Sequence, residues 1–419
     1  MRRRIAVVGS GVAGLTAAYV LRQVCEVSLY EADDRLGGHA HTHDVADPGG
    51  QALRIDTGFI VHNDRTYPTL LRLFRELGVA TQDSEMSLSV RCDGCGLQYA
   101  GARGPGGLFA HPGSAIRGRY LGLLAEVPSF HRAARAALAS GRADRLTLGG
   151  FLAERDFTPY FTAHFVVPLV SSVWSCAPDQ AMRYPAAYLF RFLRHHGLLS
   201  VGGSPRWRTV TGGSAEYVRR IGKQLTTVYT GTPVRAVRRF PDRAEVTAAD
   251  GITRGYDAVV LATHPDQALA VLADATDAEA RVLGAFRYSR NETVLHTDAS
   301  LLPTARRARA SWNYLMPSCA APAEKVQVSY HMNRLQRLDA AEEYVVTLNA
   351  SQAVDPGRVL ARMVYEHPLY TPESVAAQRR LPELDTAVTA FAGAYHGWGF
   401  HEDGCRAGVA AAAALGVRW

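Results

Sequence analysis

Lysine is nearly missing from this chain. It occurs only at positions 223 and 325, so the 46 basic residues are almost all arginine. Set against 39 acids they leave a formal charge of +7. An arginine excess of this kind commonly follows genomic base bias; functionally it would suit an anionic partner such as a phospholipid surface. No stretch resembles an RNA- or DNA-binding module, so no nucleic-acid partner is expected. Cysteine is also scarce. Six residues (25, 92, 95, 176, 319 and 405) are scattered too widely for a disulfide scaffold, and a reducing cytoplasm is the expected compartment. No window offers the roughly 18 apolar residues of a membrane span. The basic start before an apolar run imitates an export leader, yet three glycines stand where a leader needs leucines. Long linkers, repeats and low-complexity tracts are absent as well. With 419 residues, 47% hydrophobic and 20% charged, the composition is that of a folded protein with more than one domain.

What is present is concentrated in the first forty residues. Ile5-Ala-Val-Val8 reads as a buried parallel strand, and Gly9-Ser10-Gly11-Val12-Ala13-Gly14 follows at once, leading into a helix-spaced run to Leu21. Gly9 permits the tight turn, Gly11 lets a pyrophosphate approach bare backbone, and Gly14 lets helix and strand pack closely. The helix N-terminus then offers free N–H groups to phosphate. A second strand, Val27–Tyr30, ends in Glu31-Ala32, 22 residues beyond Gly9, where a carboxylate can accept both hydroxyls of an adenosine ribose. Arg35-Leu-Gly37-Gly38 supplies an arginine and a glycine pair able to brace the same pyrophosphate. Together these define a dinucleotide site.

Glu31 followed by Arg-x-Gly-Gly resembles the FAD-binding start of the flavin amine oxidase, protoporphyrinogen oxidase and phytoene desaturase superfamily. The segment Phe391-Ala-Gly393-Ala-Tyr395-His-Gly-Trp398-Gly-Phe-His-Glu402-Asp403-Gly404 and the alanine-rich helix after it resemble that superfamily's closing segment. The resemblance implies FAD as cofactor. It also implies an α/β fold, with a Rossmann-type FAD domain interleaved with an α+β substrate domain that carries an antiparallel sheet. By the same resemblance, Gly393 lies by the ribityl chain and Glu402, Asp403 and Gly404 return to the flavin. His39 runs beside it, and Gly58, Phe59 and Ile60 lay their backbone against the isoalloxazine. Val234 meets adenine, and Thr263 passes the pyrophosphate. The expected domain division is 1–75, 206–285 and 384–419 for FAD, with 76–205 and 286–383 for substrate. Gly58-Phe-Ile-Val-His-Asn63, His196-Gly-Leu-Leu199, Trp312-Asn-Tyr314 and Asn333-Arg-Leu-Gln336 are similar to a bacterial branch often encoded beside cyclopropane fatty acid synthases.

The superfamily's amine oxidases place a lysine near the flavin on a substrate-domain strand. The corresponding strand here, 292–297, offers His296 instead, either as a base or water-holder or as a histidine satisfied within the sheet. Tyr330 and Glu366 are the further catalytic candidates. Asn63, Tyr67, Trp174, Phe192, Trp207, Tyr395 and Trp398 are the candidate pocket residues, although Asn63 and Tyr67 would equally serve to start the helix that follows them. Two metal readings are declined. His39, His41 and His43 share one face of a strand but lack a completing constellation. Cys92-Asp-Gly-Cys95 has no second pair and reads as a hairpin turn with two incidental thiols. The expected activity is FAD-dependent removal of hydride from a C–H bond of a largely apolar, lipid-like or amine small molecule, of desaturase or oxidase type. The alternative is a flavin-dependent isomerase or cyclase with no net redox change.

Overall fold

The computed structural model describes residues 2–200, 202–319 and 325–419. Its first sheet has five strands, all paired in parallel, in the order Thr227–Tyr229, Glu26–Tyr30, Arg4–Val8, Ala258–Leu261 and Thr389–Phe391. The beginning, middle and end of the chain thus meet in one sheet. Both faces are covered, which is why the central strands are continuous apolar runs from Ile5 to Val8 and from Ala258 to Leu261, whereas Glu26–Tyr30 nearer the edge alternates with Glu26 and Ser28. Ile5 and Val7 point into one core and Ala6 and Val8 into another.

Strand Arg4–Val8 feeds the helix Val12–Leu21, every residue of which is buried. The cover on its outer side is the closing helix, His401–Ala414. Small residues set the spacing between the two. A Cβ at Gly408 would stand 2.3 Å from the Ala13 carbonyl oxygen and 3.0 Å from the Ala17 nitrogen, and one at Gly404 would meet Val12 at 2.6 Å. The glycines and alanines of 404–413 therefore do packing work: they let two backbones approach to a distance that side chains would forbid. An antiparallel meander, Val234–Arg239, Ala244–Ala248 and Thr253–Tyr256, covers the other face of the sheet.

The second large sheet has seven strands in the order Val359–Leu369, Arg287–His296, Val345–Leu348, Val328–His331, Trp312–Met316, Leu88–Cys92 and Leu97–Gly101. The expected antiparallel arrangement holds for every neighbouring pair except Trp312–Met316 with Leu88–Cys92, which run parallel. That exception arises because the hairpin 88–101 arrives from a remote part of the chain and joins the sheet at its edge. Below it lies a helical lobe that includes Gly118–Ala139, Val167–Trp174 and Ala186–His195. Its interior is a phenylalanine cluster in which Phe130, Phe151, Phe161 and Phe190 make edge and tilted contacts at 4.7–6.1 Å. Among the described residues, no helix is long and apolar enough to cross a membrane.

Gly408→Val should force the first and last helices apart and lower stability by about 1–3 kcal/mol. Thermal unfolding followed by circular dichroism measures this, with Ala410→Val, on the exposed side of the same helix, as the matched control.

Candidate active site

A cavity of about 640 Å³ runs from the first strand–helix turn to the underside of the seven-stranded sheet. At its nucleotide end the backbone is bare. Gly9 has φ +97°, and a Cβ there would lie 2.7 Å from the Ala262 oxygen. Gly14 faces the Gly9 oxygen at 1.9 Å from an ideal Cβ. Gly11 differs: nothing in the protein lies within 4 Å of its missing Cβ, and it borders the cavity. Its backbone is open to a bound group and needs no room for packing.

Glu31 lines this end. One carboxylate oxygen accepts the Ser10 N–H at 2.9 Å and the Ser10 hydroxyl, and the other accepts the Asp33 N–H at 3.0 Å. Ser10, Val12, Ala13, Ala32, Val234 and Thr263 are also part of the lining. Arg35 does not line the cavity. Its guanidinium donates to the Gly38 carbonyl at 2.9 Å, and Gly37 donates its N–H to the Ser10 hydroxyl at 3.1 Å. Arg35 and Gly37 thus shape the loop from behind, and Gly38 alone of the motif faces in. The glycine pair folds so tightly that the arginine reaches its own loop first.

Midway, the floor is made by His39 and Gly58-Phe59-Ile60. The Phe59 N–H donates to the His39 carbonyl at 2.7 Å, and a Cβ at Gly58 would stand 2.2 Å from that oxygen. The His401 ring stacks on Phe59 at 3.5 Å, so the closing helix opens onto the cavity by its N-terminus. Its two carboxylates do not. Glu402 accepts the N–H groups of Thr69 at 3.0 Å and Leu70 at 2.9 Å, capping the helix Pro68–Leu77. Asp403 accepts the Phe400 N–H at 3.1 Å and caps its own helix, with burial raising its carboxyl to about 6. Gly404 packs on Val12. The expectation that 402–404 reach the flavin is corrected: four unpaired amides at each helix start compete for these acids and take them. Gly393 does line the cavity.

The far end is aromatic and aliphatic: Trp174, Trp312, Tyr330, Leu348, Trp398 and Phe400, with Tyr67 and Tyr395 nearby. No lysine or arginine lines the cavity. The Trp174 indole N–H donates to the Trp398 carbonyl at 3.0 Å. Three other sequence candidates sit elsewhere. Phe192 stacks on His196 and Phe400 one layer behind the wall. Asn63 is wholly buried, accepting the N–H groups of Arg65 and Thr66 in a turn. Trp207 lies in a strand opposite Asn63, outside the cavity lining.

Of the three catalytic candidates, Tyr330 and Glu366 line the cavity and His296 does not. The His296 ring shares a hydrogen bond with the Thr347 hydroxyl at 2.8 Å and accepts the Asp298 N–H at 3.1 Å, with burial lowering its pKa to about 4. Both ring nitrogens are used inside the sheet, beside Thr347, whose strand neighbour Leu348 is the residue that faces the cavity. Sequence reasoning missed His264, Tyr288, Tyr365 and His367. His264 packs flat on Tyr288 at 4.0 Å and stands 3.3 Å from Glu366. Tyr365 and His367, two apart on one strand, carried a period-two signal that could have found them.

Several lining residues keep a buried polar atom without a protein partner: His39 Nε2, Trp312 Nε1, the Tyr395 hydroxyl and Trp398 Nε1. Buried polar groups are ordinarily satisfied, so this row of orphans along a glycine-bare cavity fits a large polar and aromatic ligand. The site and the parallel sheet define a flavoprotein oxidoreductase. Residues 12–291 match the family model of the flavin containing amine oxidoreductases. The chain belongs to that family, whose members act on small molecules, and is an FAD-dependent oxidoreductase with FAD as its cofactor.

Over 57 residues the chain is 48% identical to the flavin-dependent L-tryptophan oxidase RebO of Lentzea aerocolonigenes. That match spans 13% of this chain and only 12% of that protein. In fold it is similar to cyclohexylamine oxidase from Brevibacterium oxydans, with a TM-score of 0.69 and 17% identity over 99% of both chains. A fatty acid isomerase from P. acnes that produces CLA aligns with a TM-score of 0.65 and 17% identity over 97% of both.

Glu31→Ala should weaken FAD binding about 10- to 100-fold, the effect of losing charge-assisted hydrogen bonds worth about 1.5–3 kcal/mol. Titration of apoprotein with FAD measures it, and an unchanged circular dichroism spectrum excludes misfolding. A pH dependence follows from the cavity histidines. Burial holds His39 well below the usual imidazole value, lowers His367 to about 4 and lowers His401 to about 3. Unfolded, they would protonate near 6.5, so the unfolded chain binds more protons below that pH and stability falls as pH drops from about 6.5 toward about 4. Burial raises Asp56, Asp385 and Asp403 to about 6, which acts in the opposite direction, but His62, His196 and His396, each lowered to about 4, together with the three cavity histidines outnumber them. Melting temperatures at about pH 7.5 and about pH 5 should therefore differ in favour of the higher pH.

Proposed function

We propose that this enzyme removes a hydride from a C–H bond of a largely apolar small molecule, as a desaturase or oxidase does. The observation that carries the reading is the far wall of the cavity, which is built from Trp174, Trp312, Tyr330, Leu348, Trp398 and Phe400 without a lysine or arginine. Such a wall holds hydrocarbon by burial and excludes water. The sequence resemblance to the branch encoded beside cyclopropane fatty acid synthases favours an acyl chain over a compact amine.

Bound FAD supplies the two-electron acceptor. The chain's own residues hold, orient and dry the site. In this reading Gly9–Gly14 take the pyrophosphate, Glu31 the adenosine ribose and Val234 the adenine side, with His39 and Gly58–Ile60 beneath the ring system. Segments 1–75, 206–285 and 384–419 form the cofactor domain, and 76–205 and 286–383 form the substrate domain. Tyr330, whose hydroxyl burial raises to about 12, stays protonated and can donate a hydrogen bond to the substrate. The Glu366 carboxylate, which lines the cavity 3.3 Å from the His264 ring, would accept the proton that leaves with the hydride. His296 has no part in the chemistry.

Mixing enzyme and fatty acyl or amine substrates without oxygen should bleach the yellow flavin absorbance. Product of unchanged mass, formed with no oxidant consumed, would instead select an isomerase or cyclase. Glu366→Gln should lower kcat about 100-fold, and Trp312→Ala should raise KM about tenfold, whereas His296→Gln should alter stability but neither kinetic constant.

A further inference from the structure

The Cys92-x-x-Cys95 turn is not left with two incidental thiols. Folding brings His164 and Cys319, 69 and 224 residues beyond Cys95, against it, so that one ligand atom from each of the four residues lies within 4.8 Å of all the others. The separations are 3.4 Å for Cys92 Sγ to Cys319 Sγ, 3.7 Å for Cys95 Sγ to His164 Nε2, and 3.5 Å for Cys319 Sγ to His164 Nε2. With metal–sulfur bonds of about 2.3 Å and metal–nitrogen bonds of about 2.0–2.1 Å, the edges of a tetrahedral zinc site are about 3.8 Å for S···S and about 3.5 Å for S···N. The three contacts come within about 0.4 Å of those edges, and the other three separations are no longer than 4.8 Å, before any ion is placed in the cluster. It is also far too open for a disulfide, whose sulfurs stand about 2.05 Å apart, and all three thiols are free.

We propose that Cys92, Cys95, His164 and Cys319 form a structural zinc site. Four observations besides the cluster itself support it. The His164 Nδ1–H donates to the Tyr160 carbonyl at 3.0 Å, which leaves Nε2 bare and aimed at the sulfurs, the tautomer a metal ligand needs. His164 sits in a π-helical turn, Thr162–Val166, the kind of local irregularity that concentrates at functional positions. The hairpin turn is shaped to close on the ion. A Cβ at Gly94 would stand 2.9 Å from the Cys319 nitrogen, so only glycine lets the strand end carrying Cys319 pass over it, and Gly96 turns the chain with φ +69°. The Asp93 N–H ties this turn to the Met316 carbonyl at 2.9 Å, while the Asp93 carboxylate pairs with Arg91 and stays out of the cluster. Finally, three thiolates around a divalent ion leave one net negative charge, and the Arg117 guanidinium is held beside it on the Cys95 carbonyl at 3.0 Å.

Four protein ligands and no free position make the site structural. None of the four residues lines the FAD cavity. The ion would join the hairpin 88–101, the end of strand Trp312–Met316 and the helical lobe at a single point. His164 lies three residues before the helix Val167–Trp174, whose final turn with Ser175 supplies part of the cavity wall. Zinc would thereby fix that wall from outside.

The test uses the full chain, untagged and purified under a non-chelating reductant. Elemental analysis should find about one zinc per chain, and X-ray absorption at the zinc edge should show three sulfurs at about 2.3 Å and one nitrogen. Cys92→Ser and His164→Ala should each reduce zinc to background and lower the melting temperature while flavin remains bound, and Cys25→Ala should change neither metal nor flavin. Should the variants fail to fold, the wild-type absorption spectrum decides by itself. Absence of zinc after incubation with the ion, a shell of oxygen and nitrogen only, or a native disulfide among Cys92, Cys95 and Cys319 would overturn the proposal.

Discussion

The arrangement depends on one close backbone contact, the crossing of the first and last helices through Gly404 and Gly408. The Val12–Leu21 helix must sit tightly on the parallel sheet for its N-terminus to face the nucleotide end of the cavity, and the His401–Ala414 helix must sit tightly on it for residues 399–401 to reach the middle. Side chains larger than hydrogen at 404 and 408 would meet Val12 and the Ala13 carbonyl below contact distance. The same crossing brings Glu402 to the start of the Pro68–Leu77 helix, where its carboxylate takes two amide N–H groups. The ends of the chain are therefore joined by glycine packing and by one buried acid that caps a helix remote in sequence.

Around that frame the cavity is nearly free of formal charge. Its histidines are held neutral by burial, its tyrosines are held protonated, and its cation count is zero. Charge is confined to Glu31 at one end and to Glu366 beside His264. An uncharged interior leaves the cofactor as the main electrostatic feature of the site, which suits chemistry on an apolar substrate.

Misplaced candidates share a cause. Glu402, Asp403, Arg35 and Asn63 carry hydrogen-bonding groups that nearby backbone claimed first, at helix starts, a glycine loop and a turn, and His296 is held by the Asp298 N–H and the Thr347 hydroxyl within its sheet. A motif names residue types but does not say which unpaired amide or carbonyl stands nearest. The His264–Tyr288 stack and the Glu366 contact depend on the pairing of two strands with a loop, which no spacing along the chain encodes.

The interleaving of two kinds of sheet was what the family resemblance implied, while the amino-acid order alone determined the strand–turn–helix of residues 5–21 and the acid at 31. These rest on short-range rules: buried runs, glycine positions and a fixed span from turn to second strand. Only the tertiary structure decided which acids face the cavity, and that Cys92 and Cys95 have His164 and Cys319 as neighbours. The physical reason is separation. A four-ligand cluster drawn from a hairpin, a π turn and a strand end has no period or spacing, and it exists only once the helical lobe has docked against the edge of the sheet.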